Sequence, residues 1–316
     1  MSDNNQHDPN WERQTLEKLA FAAIREQRRN RFWGVLFKSL TFIYLFMLLF
    51  YAMDWVGGDS SANSDHTAII DISGVIGSDD QVNADDVIGS LESAYENKHT
   101  KGIILRINSP GGSPVQAGII NDEIHRQRKL HPNIPVYAVV EDICASGGYY
   151  IAVAADKIFV DKASIVGSIG VLMDGFGFTG IMDKAGVERR LLTAGENKAM
   201  LDPFSPVNPK HKEYAQSMLN QIHQQFITVV REGRGKRLKE TEDTFSGLFW
   251  SGETSVQMGL ADGFGSSDYV AREIIKQEKI VDFTAREGLA DKFAKRIGAS
   301  MGNAAMGTVF SGMKMH

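Results

Sequence analysis

Twice in this chain a short, β-branched apolar run stops abruptly at a pair of glycines. Residues 101–107 end in Asn108, Ser109, Pro110, Gly111 and Gly112, and residues 135–140 lead through Cys144 and Ala145 into Ser146, Gly147 and Gly148. Runs of this kind read as buried strands, and the Gly/Pro punctuation marks turns that open onto helices. The alternation is extended by a strand at 67–72, an amphipathic helix at 85–95, a helix at 114–130 with proline in its first turn, a helix from about 146 to 154 and a strand at 157–160. Repeated βα units with apolar strands predict an α/β fold: a mostly parallel sheet, covered on both faces and joined by right-handed crossovers. Both glycine turns then fall at the carboxyl edge of the sheet, where α/β proteins place their chemistry.

Ser146 brings a hydroxyl to one of those turns. A serine hydroxyl is a weak nucleophile at neutral pH and needs a base to take its proton. The base need not be histidine, because a desolvated lysine loses its preference for the charged form and can serve. Lys198, shortly after Gly195, is the candidate. The eight histidines, His7, His66, His99, His125, His131, His211, His223 and His316, are scattered, with none at metal-ligand spacing near a carboxylate pair. Metal-dependent hydrolysis is therefore disfavoured, and neither metal nor cofactor is expected. Glycine lets backbone N–H groups approach a developing oxyanion closely, which makes Gly111, Gly112, Gly147 and Gly148 candidates for that role. Gly111, Ser113 and Tyr149, which flank the two turns, are expected to wall a substrate groove.

Several motifs in one order carry a family resemblance. They are residues 103–112, Ala145 to Tyr150, Ile165 to Gly170, Thr193 to Lys198, and Gly259 to Gly263. Together they resemble the short-form bacterial signal peptide peptidase A branch of serine peptidase family S49, over roughly residues 67–275. The resemblance implies a Clp-protease/crotonase-like fold in a membrane-anchored peptidase with peptide substrates. It implies Ser146 as nucleophile, Lys198 as general base, Ser168 as the hydroxyl that hydrogen-bonds the lysine, and the N–H groups around Gly112 and Gly147 as oxyanion donors. It also implies a homo-oligomeric ring in which a neighbouring subunit supplies the lysine; from the chain alone, donation within one subunit or between subunits stays open.

The amino-terminal part adds a second constraint. Residues 32–53 form a 22-residue apolar run whose single charge is Lys38, the length a helix needs to cross a bilayer. Arg25, Arg28, Arg29 and Arg31 precede it, while Asp54, Asp59 and Asp65 follow. The positive-inside rule places residues 1–31 in the cytoplasm and the bulk of the chain on the outer, periplasmic side of an inner membrane. A cleaved signal peptide fits less well: the polar leader is long and no small-x-small site follows. The expected organisation is therefore a cytoplasmic segment at 1–31, a signal-anchor helix at 32–53, a linker at 54–66, a peptidase domain at 67–280, and a tail at 281–316 with a docking helix at 289–297.

The remaining features have plainer readings. A net charge of −5 argues against nucleic acid as a partner. The single cysteine, Cys144, reads as a small buried residue beside the nucleophile rather than a reactive thiol. Tyr214, Met218, Ile222, Phe226 and Val230 mark one face of a long helix begun near Pro209, as core or subunit contact, and the cations of residues 231–237 close it. Residues 175–180 spell G-x-G-x-x-G with Glu196 about 20 positions on, but they come late in the domain rather than in a first βαβ unit, so they read as a loop beside the groove rather than a dinucleotide site. A protease of misfolded membrane proteins, a crotonase-like acyl-CoA enzyme and a non-catalytic membrane scaffold are the alternatives.

Overall fold

The computed structural model describes residues 11–57 and 63–285. The chain divides into two compact units, Met1–Ser61 and Ala62–His316. The expected docking helix at 289–297 lies outside the described residues, as does part of the expected linker.

The first unit is one helix, α1 (Trp11–Gly57). It begins 21 residues before the apolar run, because residues 11–31 contain neither glycine nor proline and are rich in strong helix formers. It also continues past residue 53, so the expected linker starts later than residue 54. Leu40, Phe42, Leu45, Met47 and Phe50 are all exposed, so this stretch of the helix is apolar around its circumference. Among the described residues it is the one helix long and apolar enough to cross a membrane.

The second unit is built on a sheet. In chain order its elements are β1 (His66–Ser73), α2 (Ala84–Glu96), β2 (Thr100–Ser109), α3 (Pro114–Leu130), β3 (Val136–Ala145), α4 (Gly147–Ala152), β4 (Lys157–Val160), β5 (Ile165–Gly167), α5 (Thr179–Ala185) and α6 (Pro209–Arg234). There follow β6 (Phe249–Ser251), α7 (Gly252–Gln257), β7 (Gly263–Phe264), α8 (Ser267–Tyr269), which continues as a π-helical turn at Val270–Ile275, and β8 (Ile280–Asp282). The strand order is β6-β5-β3-β2-β1-β8, with β4 on β3 and β7 on β4. Every pair is parallel except β5 with β6.

Alternation along the strands sends two sets of side chains to opposite faces. Ile70, Ile72, Ile103, Leu105, Ile107, Ala138 and Val140 join Leu91 of α2, Ile120 and Ile124 of α3, and Tyr149 and Ile151 of α4 in the main core. The helices start where the sequence stops them from starting elsewhere: Asn83 caps α2 by accepting from Asp86 N, and Ser113 caps α3 by accepting from Gln116 N, with Pro114 in the first turn.

The expectation of cover on both faces needs correction. The second face holds a smaller cluster, Ile69, Ile104, Val139 and Phe159 under Val270 and Ala271. Further along the same strands, alternation puts Asp71, Arg106 and Glu141 on this face, and Arg106 grips Asp71 with two bonds of 2.6 and 2.7 Å. Among the described residues a charged pair stands on that part of the face in place of a second helical layer, and it remains partly open to solvent. Strand β3 also outruns its sequence signal. Glu141 and Asp142 interrupt the apolar pattern, yet the strand continues because residues 143–145 pair with β5 after residues 137–139 have paired with β4.

Candidate active site

Strands β3 and β5 run parallel in the register Ile143↔Ile165, Cys144↔Val166 and Ala145↔Gly167. Ser146 and Ser168 therefore leave the sheet side by side, at the usual strand spacing of about 4.8 Å. Both have left-handed backbones, with φ of +50° and +51°. Such torsions cost about 1–3 kcal/mol in a non-glycine residue and persist only where neighbours hold them. Ser146 N donates to Gly167 O at 2.9 Å, and Tyr150 N donates back to Ser146 O at 2.9 Å. The sharp turn lifts the Ser146 side chain out of the sheet at the start of α4.

The first glycine turn packs directly against the second. A Cβ on Gly111, whose φ is +103°, would stand 2.7 Å from Ser146 Cβ and 2.8 Å from Gly147 N. A Cβ on Gly147 would stand 3.3 Å from Gly112 N. Isoleucine 76 holds this turn in place: Ile76 N donates to Gly111 O at 2.9 Å and Ser113 N to Ile76 O at 2.7 Å. Gly112 N and Gly147 N take no part in the hydrogen bonds found among the described residues. Two glycine N–H groups are thus free beside one serine, the arrangement an oxyanion requires.

An open cleft of about 510 Å³ lies over this point. Ser146, Gly147, Gly112 and Ser168 line it, and its apolar wall includes Leu172, Ile222 and Phe226. Among the described residues, no Asp, Glu, Lys, Arg or His lines it. None of the three groove residues expected from sequence lines the cleft, Gly111 because it is buried against Ser146 and Gly147. Tyr149 is fully buried and donates its hydroxyl to Leu260 O at 2.8 Å; burial pushes its phenol pKa up, so it stays a neutral donor. Its neighbour Tyr150 reaches the cleft instead, and Ser113 is occupied as the α3 cap. Cys144 is fully buried, and desolvation pushes its thiol pKa up, which removes it from the chemistry. Ile222 and Phe226 were visible only as part of a helical stripe, with no sign that this stretch faces a site. The stripe itself drifts: Tyr214 is exposed, and the buried line runs through Ala215, Phe226, Val230 and Arg234.

Lys198 is not among the cleft residues. It is exposed, on a segment where Lys198 N donates to Gly195 O at 3.1 Å. Helix α6 shows how far apart the two regions lie. His211 near its start meets Asn197 Oδ1 at 3.1 Å, while His223 meets Ile169 O at 3.1 Å. Twelve residues of helix separate the two histidines, about 18 Å along the axis. Asn197, next to Lys198, and Ile169, next to Ser168, therefore meet α6 about three turns apart. The segment between them is exposed and apolar: Leu172, Phe176, Ile181 and Leu192 are 81, 78, 67 and 96% accessible. The G-x-G-x-x-G loop is part of it, with open space around Gly175, Gly177 and Gly180, unlike a phosphate-cradling turn tucked between strand and helix.

Comparison with known proteins points the same way. Residues 128–281 match the family model described as peptidase family S49, a span that contains Ser146, Ser168 and Lys198. A Brucella abortus protein named Na(+)/H(+) antiporter NhaA is 47% identical over 177 residues, 56% of this chain but 24% of that protein. A protein provisionally named signal peptide peptidase SppA, from Enterococcus faecium, is 31% identical over 66% of this chain and 60% of its own length. Protease 4 of Haemophilus influenzae is 31% identical over 68% of this chain and 35% of its own length. The chain thus spans less than two thirds of each of these relatives. The parallel sheet, with its serine and glycine turns at one edge, agrees with the Clp-protease-like fold of the matched family, and residues 128–281 carry a peptidase family S49 domain.

Proposed function

We infer that this chain is a membrane-anchored serine endopeptidase whose Ser146 attacks a peptide carbonyl and whose general base is Lys198 of a neighbouring copy. The observation that carries this reading is the juxtaposition of a left-handed Ser146 with the unengaged N–H groups of Gly112 and Gly147. As Ser146 Oγ adds to the carbonyl carbon, its proton passes to neutral Lys198 Nζ and the carbonyl oxygen becomes an anion. The two N–H groups stabilise that anion where it forms, each at about 3–4 kcal/mol of the barrier. The lysinium then protonates the leaving amine, and water attacks the acyl-enzyme with the lysine again as base. Ser168, beside Ser146 on the next strand, holds the lysine that enters.

Supply of Lys198 by a second copy is supported by its exposure and by the length of α6 between the two regions. The exposed apolar segment 172–207 gives that copy a surface to cover. A lysine in water is protonated at pH 7, so burial under a neighbour is what would make it a base. The apolar run at 32–53 within α1 supports anchoring in a membrane, with the arginines that precede the run on the cytoplasmic side and the peptidase unit outside. A cleft without charged residues suits uncharged, apolar stretches such as remnant signal peptides. Incubation of the full-length protein with a fluorophosphonate serine probe tests the assignment. The wild type should be labelled on Ser146 and cleave an apolar peptide, and Ser146→Ala should do neither while keeping its oligomer size. Turnover by Ser146→Ala would remove Ser146 from the mechanism.

A further inference from the structure

We propose that His223 is a positioning residue for the active site, acting by clamping the turn that carries Ser168; this rests on the peptidase reading above. His223 lies midway along α6, one residue after Ile222 and three before Phe226, both of which line the cleft. Its side chain turns toward β5, and Nε2 lies 3.1 Å from Ile169 O. A carbonyl oxygen only accepts, so Nε2 carries the proton and donates.

That carbonyl follows a strained residue. Ser168 has φ of +51°, and its conformation is held from both sides. Ser168 N donates to Leu248 O at 2.7 Å, and Gly170 N donates to Ser168 O at 2.9 Å. The Ile169 side chain, fully buried, anchors the turn in the core. Of the hydrogen bonds that fix the turn among the described residues, only the one to Ile169 O comes from a side chain, so it alone depends on the residue type of its donor. Leucine at position 223 would leave Ile169 O without its donor. The effect passes beyond Ser168, because the preceding Gly167 O accepts from Ser146 N. Movement of the 167–170 turn therefore shifts both the hydroxyl placed to receive the lysine and the main-chain anchor of the nucleophile. The same helix faces the cleft through Ile222 and Phe226, so the clamp also fixes the spacing between the apolar wall and the serines.

The test compares His223→Gln, whose amide can still donate, with His223→Leu in the full-length protein. Displacement of a catalytic group by about 1 Å costs about 100-fold in rate. His223→Leu should accordingly lose about 10- to 100-fold in kcat with KM nearly unchanged, and His223→Gln should recover most of that loss at the same melting temperature. In a Ser168→Ala background, His223→Leu should cost less than it does in the wild type, because the part of the loss that passes through the Ser168 hydroxyl is already gone while the part that passes through Gly167 O to Ser146 remains. Hydrogen exchange of the peptide containing residues 165–172 gives a readout that needs no activity: His223→Leu should speed it and His223→Gln should not. Unchanged exchange in His223→Leu, or equal kcat in His223→Leu and wild type, would overturn the clamp. Absence of probe labelling in the wild type would instead refute the peptidase reading, leaving the exchange comparison to decide the clamp by itself.

Discussion

Gly111→Ala is the sharpest structural test of the active-site geometry, because the added methyl has nowhere to go. At φ of +103° an alanine is strained by about 1–3 kcal/mol before any contact is counted. Its Cβ would stand 2.7 Å from Ser146 Cβ, 2.8 Å from Gly147 N and 2.9 Å from Ala145 O, where carbon contacts normally sit at about 3.5–4.0 Å. None of the three atoms is the end of a flexible side chain, so the two turns must separate by several tenths of an ångström. Overpacking of this kind costs about another 1–3 kcal/mol. The total stays below the stability of an ordinary domain, about 5–15 kcal/mol, so the protein remains folded with its oxyanion donors and nucleophile spread apart. Probe labelling should slow about 100-fold and the midpoint of urea unfolding should fall. Gly118→Ala is the control: it lies within α3 with open space around it, and alanine there should raise stability by about 0.5–1 kcal/mol without changing labelling. Wild-type labelling by Gly111→Ala would refute the packing of one turn on the other.

Two further outcomes follow from buried groups. Cys144, sealed under the nucleophile with its thiol pKa raised by desolvation, should resist iodoacetamide at pH 8 in the folded protein and react fully in guanidinium, as mass spectrometry would show. Burial alone would raise the Asp262 pKa, but its hydrogen bond and charge interaction with Arg234, aided by Ile158 N and Arg237, hold it below the usual carboxylate range. A carboxylate depressed on folding stabilises the native state above its unfolded pKa of about 3.9 and loses that contribution as pH falls through the folded value. Asp262→Asn should therefore start about 3–5 kcal/mol less stable, with Arg234 buried and uncompensated, and show a flatter decline in melting temperature below pH 4 than the wild type. A parallel decline would show that Asp262 does not contribute to the acid limb.

Strands β1 to β4, most helices and both glycine turns were legible because each is a local signal, whereas the two- and three-residue strands β5 to β8 carry too little pattern to read. An apolar β-branched run, a cap such as Asn83 or Ser113, or a proline at a helix start acts within a few residues. The continuation of β3 through Glu141 and Asp142 was not legible, since it depends on β5, more than 20 residues later. The open second face of the sheet was hidden for a related reason: Arg106 and Asp71 look like solvent-facing breaks in their strands, and only the register brings them together. Residue-by-residue placement at the site followed the same division. Ser146 announces itself by its glycines, whereas which of two adjacent tyrosines faces the cleft depends on the rotation of a six-residue helix, and Ile222 and Phe226 reach it from a helix that begins some 60 residues after Ser146. Lys198 is the extreme case, because its proposed partner atoms belong to another copy of the chain.

Mixing two inactive proteins tests that last claim most directly. Ser146→Ala retains the lysine and Lys198→Ala retains the serine, so an interface between them unites one intact serine with one intact lysine. Purified in detergent, dissociated and reassembled together, the pair should recover peptide turnover, with probe labelling confined to Ser146 of the Lys198→Ala subunit. Mixed assemblies that form, as shown by differently tagged subunits eluting together, yet recover no turnover would contradict the shared site.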